Sequence, residues 1–110
     1  MLKLQILRKD KDFKAVFSKG KSVGDRYVVM FFLKNGENYN RVACIASKKV
    51  GNAVARNRAR RLMKESVRTM DWKNEIGYDF IFIARNTING KKCNEVKKSI
   101  ENAIRRSKIK

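Results

Sequence analysis

Histidine is absent from all 110 residues, cysteine occurs only twice, and ten acidic residues stand against 28 Lys and Arg. Without histidine, and with Cys44 and Cys93 far apart, the roughly four ligands of a structural zinc site cannot be assembled. Both cysteines therefore read as small buried or surface thiols, and no metal ligands are assigned. The same absence removes the commonest proton-transfer side chain, and no Ser, Cys or carboxylate constellation replaces it. No general acid/base pair or activated nucleophile is found, so no residue is assigned as catalytic. Any catalysis that this chain serves is expected to lie in another molecule.

Long apolar runs are missing too. No segment approaches the 18 or so apolar residues of a membrane span, and no aliphatic helix face with aromatic anchors suggests a membrane surface. The opening MLKLQILRKDKDF has a charge at every third or fourth position and no small-residue cleavage site, so it does not read as a signal peptide. A cytoplasmic location is expected, without a membrane partner. Repeats, low-complexity blocks and linkers are lacking as well, and the length suits a single domain with a real core.

What is present is positive charge. The formal net charge of +18 and pI near 10.5 concentrate polyanions around the chain and make nucleic acid the leading partner. The charge is sorted in one stretch, Lys48 to Arg68, KKVGNAVARNRARRLMKESVR, which holds eight Lys or Arg against the single Glu65. On a helix, Arg56, Asn57, Arg60, Arg61, Lys64 and Arg68 share one broad face, whereas Ala55, Ala59, Leu62, Met63, Ser66 and Met70 share another. Arg58 stands apart, beside the apolar edge, and could reach a different part of a ligand. Asn52 is the expected N-cap. A solvated helix face normally alternates signs, because Glu and Lys four residues apart attract. Here Arg60 faces Arg56 and Lys64 instead, an arrangement suited to an external polyanion, and arginine's planar fork suits phosphate oxygens.

The string KKVGNAVARNRARRLMKE resembles the signature of the bacterial ribonuclease P protein subunit, with Arg56, Asn57 and Arg58 matching its RNR motif. The likeness runs from about Leu7 to Lys108 and implies one such domain over residues 1–110. It also implies a role as the protein cofactor of an RNA-based endonuclease that removes the 5′ leader from precursor tRNA. Its partners would be the ribonuclease P RNA and precursor tRNA, with no obligatory protein partner. Mg²⁺ would be bound mainly by the RNA subunit and substrate, where a metal-activated water performs the hydrolysis.

The remaining elements follow from periodicity. A first helix spans Asp10 to Lys19, capped by Asp10 and ended by Gly20, with Phe13, Val16 and Phe17 on one face. Lys21 to Gly24 is a short edge strand. Arg26 to Lys34, apolar on both alternate sets, reads as a strand covered on both faces, and Arg41 to Ser47 as its antiparallel hairpin partner. Tyr78 to Ala84 is a buried strand parallel to the Arg41 strand, and Asn94 to Arg106 a closing helix before a basic tail.

The expected fold is therefore α+β, in order αβββαβα, a four-stranded mixed sheet with packed helices. It is similar to the ribosomal protein domain 2-like unit that a small-subunit ribosomal protein shares with domain IV of elongation factor G. Parallel crossovers are almost always right-handed, but the resemblance implies a left-handed βαβ crossover. It further implies two surfaces. Lys48, Lys49, Asn52, Arg56, Asn57 and Arg58, continuing through Arg60, Arg61, Lys64 and Arg68, would dock on the RNA subunit. Phe13, Phe17, Val29, Phe31 and Ile45 would line a cleft for the single-stranded leader. Phe31 stands where the family commonly has tyrosine, and keeps the ring while lacking the hydroxyl. A structural or ribosomal RNA-binding protein would use the same helix without needing the cleft.

Overall fold

The computed structural model describes residues 4–72 and 77–107. In chain order the elements are β1 (Leu4–Ile6), α1 (Asp10–Lys19), β2 (Lys21–Gly24), β3 (Val28–Lys34), β4 (Asn40–Ile45), α2 (Ala53–Thr69), β5 (Tyr78–Ala84), a 3-10 turn (Asn86–Ile88) and α3 (Cys93–Ser107). The most apolar strand takes the middle of the sheet, whose order is β1-β4-β5-β3-β2. In β5 the rings of Phe80 and Phe82 point to one face and Ile81 to the other, and all three are fully buried. A strand apolar on both sides can only be accommodated with a layer on each face.

Those layers are unequal. Helices α2 and α3 pack on one face, over Val28, Met30, Phe32, Phe80 and Phe82. Helix α1 alone packs on the other, against β3 and β5, anchored by the fully buried Val16. Ten residues of helix cannot cover five strands, so Val29, Phe31, Ala43, Ile45 and Ile83 stay partly exposed beside it. Strand β3 is thus fully covered on one face and partly on the other.

Three sequence expectations are corrected. The sheet has five strands, because Leu4–Ile6 pairs in parallel with β4, Ile6 opposite Val42, and the Leu7 N–H continues the ladder to the Val42 carbonyl at 3.0 Å. A three-residue strand set among charges carries no readable period; only its partner specifies it. Secondly, β3 and β4 are not a hairpin. Strand β5 lies between them, antiparallel to β3 and parallel to β4, and the buried Asn40 accepts the Tyr78 N–H at 3.0 Å. The burial of both β5 faces decides that insertion, and it leaves the expected parallel β4–β5 pair correct. Thirdly, the cap of α1 is Lys9, and Asp10 and Asp12 sit in the first turn, where they complement the helix dipole.

Gly20 ends α1 with ordinary extended geometry (φ −80°), not a left-handed one. It is required for space: a Cβ there would lie 2.5 Å from the carbonyl oxygens of both Val16 and Phe32. Helix α1 thereby passes directly into β2, which falls on Lys21–Gly24 as expected. Trp72, in the polar connector expected between Asp71 and Gly77, is buried against Phe80 with ring centres 5.3 Å apart, and its indole N–H donates to the Val67 carbonyl at 2.8 Å. Residues 73–76 of that connector, and the basic tail beyond Ser107, lie outside the described residues.

Candidate RNA interface

Helix α2 begins as its sequence requires. The Asn52 side-chain oxygen accepts the Ala55 N–H at 3.0 Å, satisfying a free donor of the first turn. Asn52 is therefore engaged as a cap. The helix buries Ala59, Met63, Ser66 and Val67. Val67 falls in the arc of the basic face, so the buried stripe is broader than the apolar set expected; it packs in one cluster with Leu4 of β1 and Val42 of β4. Ser66, polar and fully buried, donates to the Leu62 carbonyl at 2.7 Å.

The basic residues do not all share one place. Asn57, Arg60, Arg61 and Lys64 line a single hollow with Val54, which is 74% exposed. Arg60 donates to Asn57, so two polar side chains of that hollow are oriented together. Arg56 is half-buried at its flank, and Lys48 is exposed in the loop before the helix. Arg68 lies farther along, held by two hydrogen bonds to Glu65. Arg58 turns inward, donating from Nη2 to the Lys91 carbonyl at 2.7 Å. Lys49 borders a different hollow, of about 760 Å³, which it shares with Val29, Ile83, Arg85 and Asn86.

The aromatic residues meet on the lightly covered sheet face. Phe17 of α1 and Phe31 of β3 form a T-shaped pair, ring centres 5.0 Å apart and planes at 73°. Phe17 is 45% exposed although its partner is an aromatic. Phe13 and Ile45 lie toward β4 and border a groove of about 450 Å³ that passes the sheet edge to reach Lys64 and Arg68. The cleft thus meets basic residues at two places: the groove on the β1–β4 side reaches Lys64 and Arg68 of the basic helix, and the other hollow brings Val29 beside Lys49 of the loop before that helix. Ile83 and Arg85 belong to this surface and were not singled out from the sequence. Ile83 was findable, since it alternates with the buried Phe82 in YDFIFIA; nothing in the sequence marks Arg85.

One end of the cleft is closed by an ion-pair network. Arg41 donates from Nε and Nη2 to both carboxylate oxygens of Asp79, each at 2.7 Å, and from Nη1 to Asp12 of α1 at 3.1 Å. The guanidinium is held above its ordinary pKa chiefly by the Asp79 hydrogen bond, with burial opposing and Asp12 adding. The bidentate pair joins β4 to β5, and the bond to Asp12 ties α1 to them at the end opposite Lys49. Cys44, on the groove wall, has its thiol pushed up to about 12 by burial, against a smaller opposite effect from Lys64.

Comparison with known proteins agrees with this architecture. The ribonuclease P family model matches residues 1–108. This chain belongs to the ribonuclease P protein family. A ribonuclease P protein component from Clostridioides difficile is 45% identical over 104 residues, covering 94% of this chain and 91% of the relative. Among solved structures, the RNase P protein of Staphylococcus aureus superposes with a TM-score of 0.83 at 29% identity, over 97% of this chain and 98% of its own. That of Thermotoga maritima gives 0.82 at 29%, over 93% and 96%. The family's role is tRNA 5′-end processing, and the expected fold class holds, with five strands in place of four. Among the described residues no helix is long and apolar enough to cross a membrane.

Proposed function

We propose that this chain is the protein subunit of a ribonuclease P holoenzyme in which the RNA subunit performs the hydrolysis and this protein supplies two binding surfaces. The observation that carries the reading is the continuity of the basic helix with an aromatic cleft, joined by one groove at Lys64 beside Phe13 and Ile45, with Lys49 of the preceding loop beside Val29 in a second hollow. A protein that only docks on structured RNA needs the first surface. One that also grips a single strand leaving that RNA needs the second adjacent to it.

In this reading, Asn57, Arg60, Arg61 and Lys64, with Arg56, Lys48 and Lys49 beside them, neutralise phosphates of the RNA subunit. Phe17 and Phe31 offer ring faces and edges to bases of the 5′ leader, flanked by Phe13, Val29 and Ile45. Stacking tolerates any base, so one cleft serves precursor tRNAs with different leaders. Mg²⁺ is assigned to the RNA subunit and substrate, whose phosphates provide hard oxygen donors. No protein partner is needed in this scheme, and the site of action is the cytoplasm.

The test is recovery of the protein from a cell extract, followed by reconstitution. A single long structured RNA should co-purify, and adding the protein to that RNA should accelerate 5′ leader removal from precursor tRNA. Co-purification with ribosomes and no effect on cleavage would favour the structural RNA-binding alternative.

A further inference from the structure

The loop between β4 and α2, residues 46–52, carries Lys48 and Lys49 and is fixed at few points. The Val50 side chain enters the core at 4% exposure, and its N–H closes a turn onto the Ser47 carbonyl at 3.0 Å. Gly51 then takes a positive φ of 147° before Asn52 caps the helix. On the other side, the Val50 carbonyl accepts a hydrogen bond from the Asn89 side-chain amide at 2.7 Å. The same amide donates to the Asn86 carbonyl at 3.0 Å, and the fully buried Ile88 pins this segment to the core. Two residues on, the Lys91 carbonyl receives Arg58.

We propose that Asn89 is a positioning residue for RNA-subunit binding: its amide locks the Val50 carbonyl and so presents Lys48 and Lys49, while the Lys91 carbonyl two residues away holds Arg58 and with it the second turn of α2. The segment from Asn86 to Lys91 bridges the loop and the helix from behind, so the phosphate-binding side chains on both are held in one frame before RNA arrives. Ordering a loop on binding costs affinity, and a loop ordered beforehand avoids that loss. Gly51 makes the device necessary, because the chain at that position has conformations open to no other residue. Asn89 itself is exposed and lies behind the loop lysines, and so acts through them. The inference rests on the reading of Lys48 and Lys49 as RNA contacts.

The experiment is a double-mutant cycle on the full chain, measuring Kd for ribonuclease P RNA with wild type, N89A, K48A/K49A and the triple variant, with a melting curve for each. N89A should weaken binding about fivefold, the scale of one net hydrogen bond, and this loss should vanish in the K48A/K49A background. N89D, which keeps the shape but cannot donate to Val50, is the second variant should N89A melt too low to assay. A wild-type Kd for folded N89A overturns the proposal. So does a loss that persists undiminished without the two lysines, since Asn89 would then act elsewhere. If K48A/K49A binds as wild type, the loop is no RNA contact and the underlying assignment fails first.

Discussion

Phe17 and Phe31 meet as an edge-to-face pair across the α1–β3 boundary, ring centres 5.0 Å apart, and Phe17 remains 45% exposed while doing so. Edge-to-face pairs contribute about 0.5–1.5 kcal/mol beyond the area they bury, so this contact holds the cleft in shape without closing it. Core phenylalanines on this chain are treated differently: Phe80 and Phe82 are fully buried and stacked at 14°. The contrast fits the proposed leader platform, which needs rings that packing leaves uncovered.

If Phe31 is part of that platform, Phe31→Leu should weaken holoenzyme binding to precursor tRNA by about 1–3 kcal/mol and leave mature tRNA unaffected. Leucine keeps most of the apolar volume and loses the flat ring. Were Phe31 ordinary core, truncation to Ala would cost about 3–5 kcal/mol of stability, and both substrates would suffer alike through loss of folded protein. The measurement is the ratio of the two Kd values on assembled holoenzyme, with a melting curve; a wild-type ratio on folded protein removes Phe31 from the leader site.

The hollow that gathers Asn57, Arg60, Arg61 and Lys64 predicts anion dependence. Arg56→Ala with Arg60→Ala should flatten the salt dependence of RNA-subunit binding, each lost phosphate contact removing roughly 0.7–0.9 from the slope of log K against log salt. Sulfate should also raise the melting temperature of the free protein above that in chloride at matched ionic strength, because only the native state gathers these cations. An unchanged slope would move the RNA contact off this face.

The basic helix was legible because its charge pattern, its cap and its amphipathic period are all local. So were the edge strand Lys21–Gly24, the parallel β4–β5 pair and the aromatic positions of α1. Non-local features were not. Strand β1 exists only through Val42 and its neighbours on β4, and the separation of β3 from β4 depends on where the doubly buried β5 must go. Arg58 shows the same limit within the site. Its angle placed it off the basic face, but its partner is a carbonyl 33 residues later. The Arg41–Asp79–Asp12 network likewise joins three elements, and no spacing announces it.

That network predicts a stability effect without a pH effect near neutrality. Arg41→Met leaves Asp79, with 6% side-chain exposure, facing no guanidinium, and should cost about 3 kcal/mol in urea unfolding, near the lower limit for breaking a buried pair because a quarter of Arg41 is in solvent. Arg41→Lys should recover only part, since an ammonium cannot form the paired contact. A raised pKa on a base contributes stability below its unfolded value and loses it above. For Arg41 that window opens only beyond its ordinary, already strongly basic value, so the wild-type minus variant difference should be flat from pH 6 to pH 9. A loss under 1 kcal/mol would mean that solvent already carries the charge.

Cys44 behaves oppositely and gives the clearest pH signature. Its thiol is pushed from an ordinary 9.0 up to about 12, with burial the leading cause. An acid whose neutral form is favoured by folding holds its proton more tightly in the native chain than in the unfolded one. Its contribution is present in full below pH 9 and disappears as the pH climbs toward 12, at up to about 1.4 kcal/mol per unit. Lysines and tyrosines titrate in the same range, so the quantity to measure is the stability of wild type minus that of Cys44→Ala as a function of pH. That difference should be constant from pH 6 to pH 8 and then fall. The thiolate is also the reactive form of cysteine, so at pH 8 a thiol reagent should label Cys44 far more slowly in the folded protein than in the unfolded chain. Rapid labelling of Cys44 in folded protein, or a pH-independent difference up to pH 11, would show that the groove wall admits water to the sulfur and that its burial is incomplete in solution.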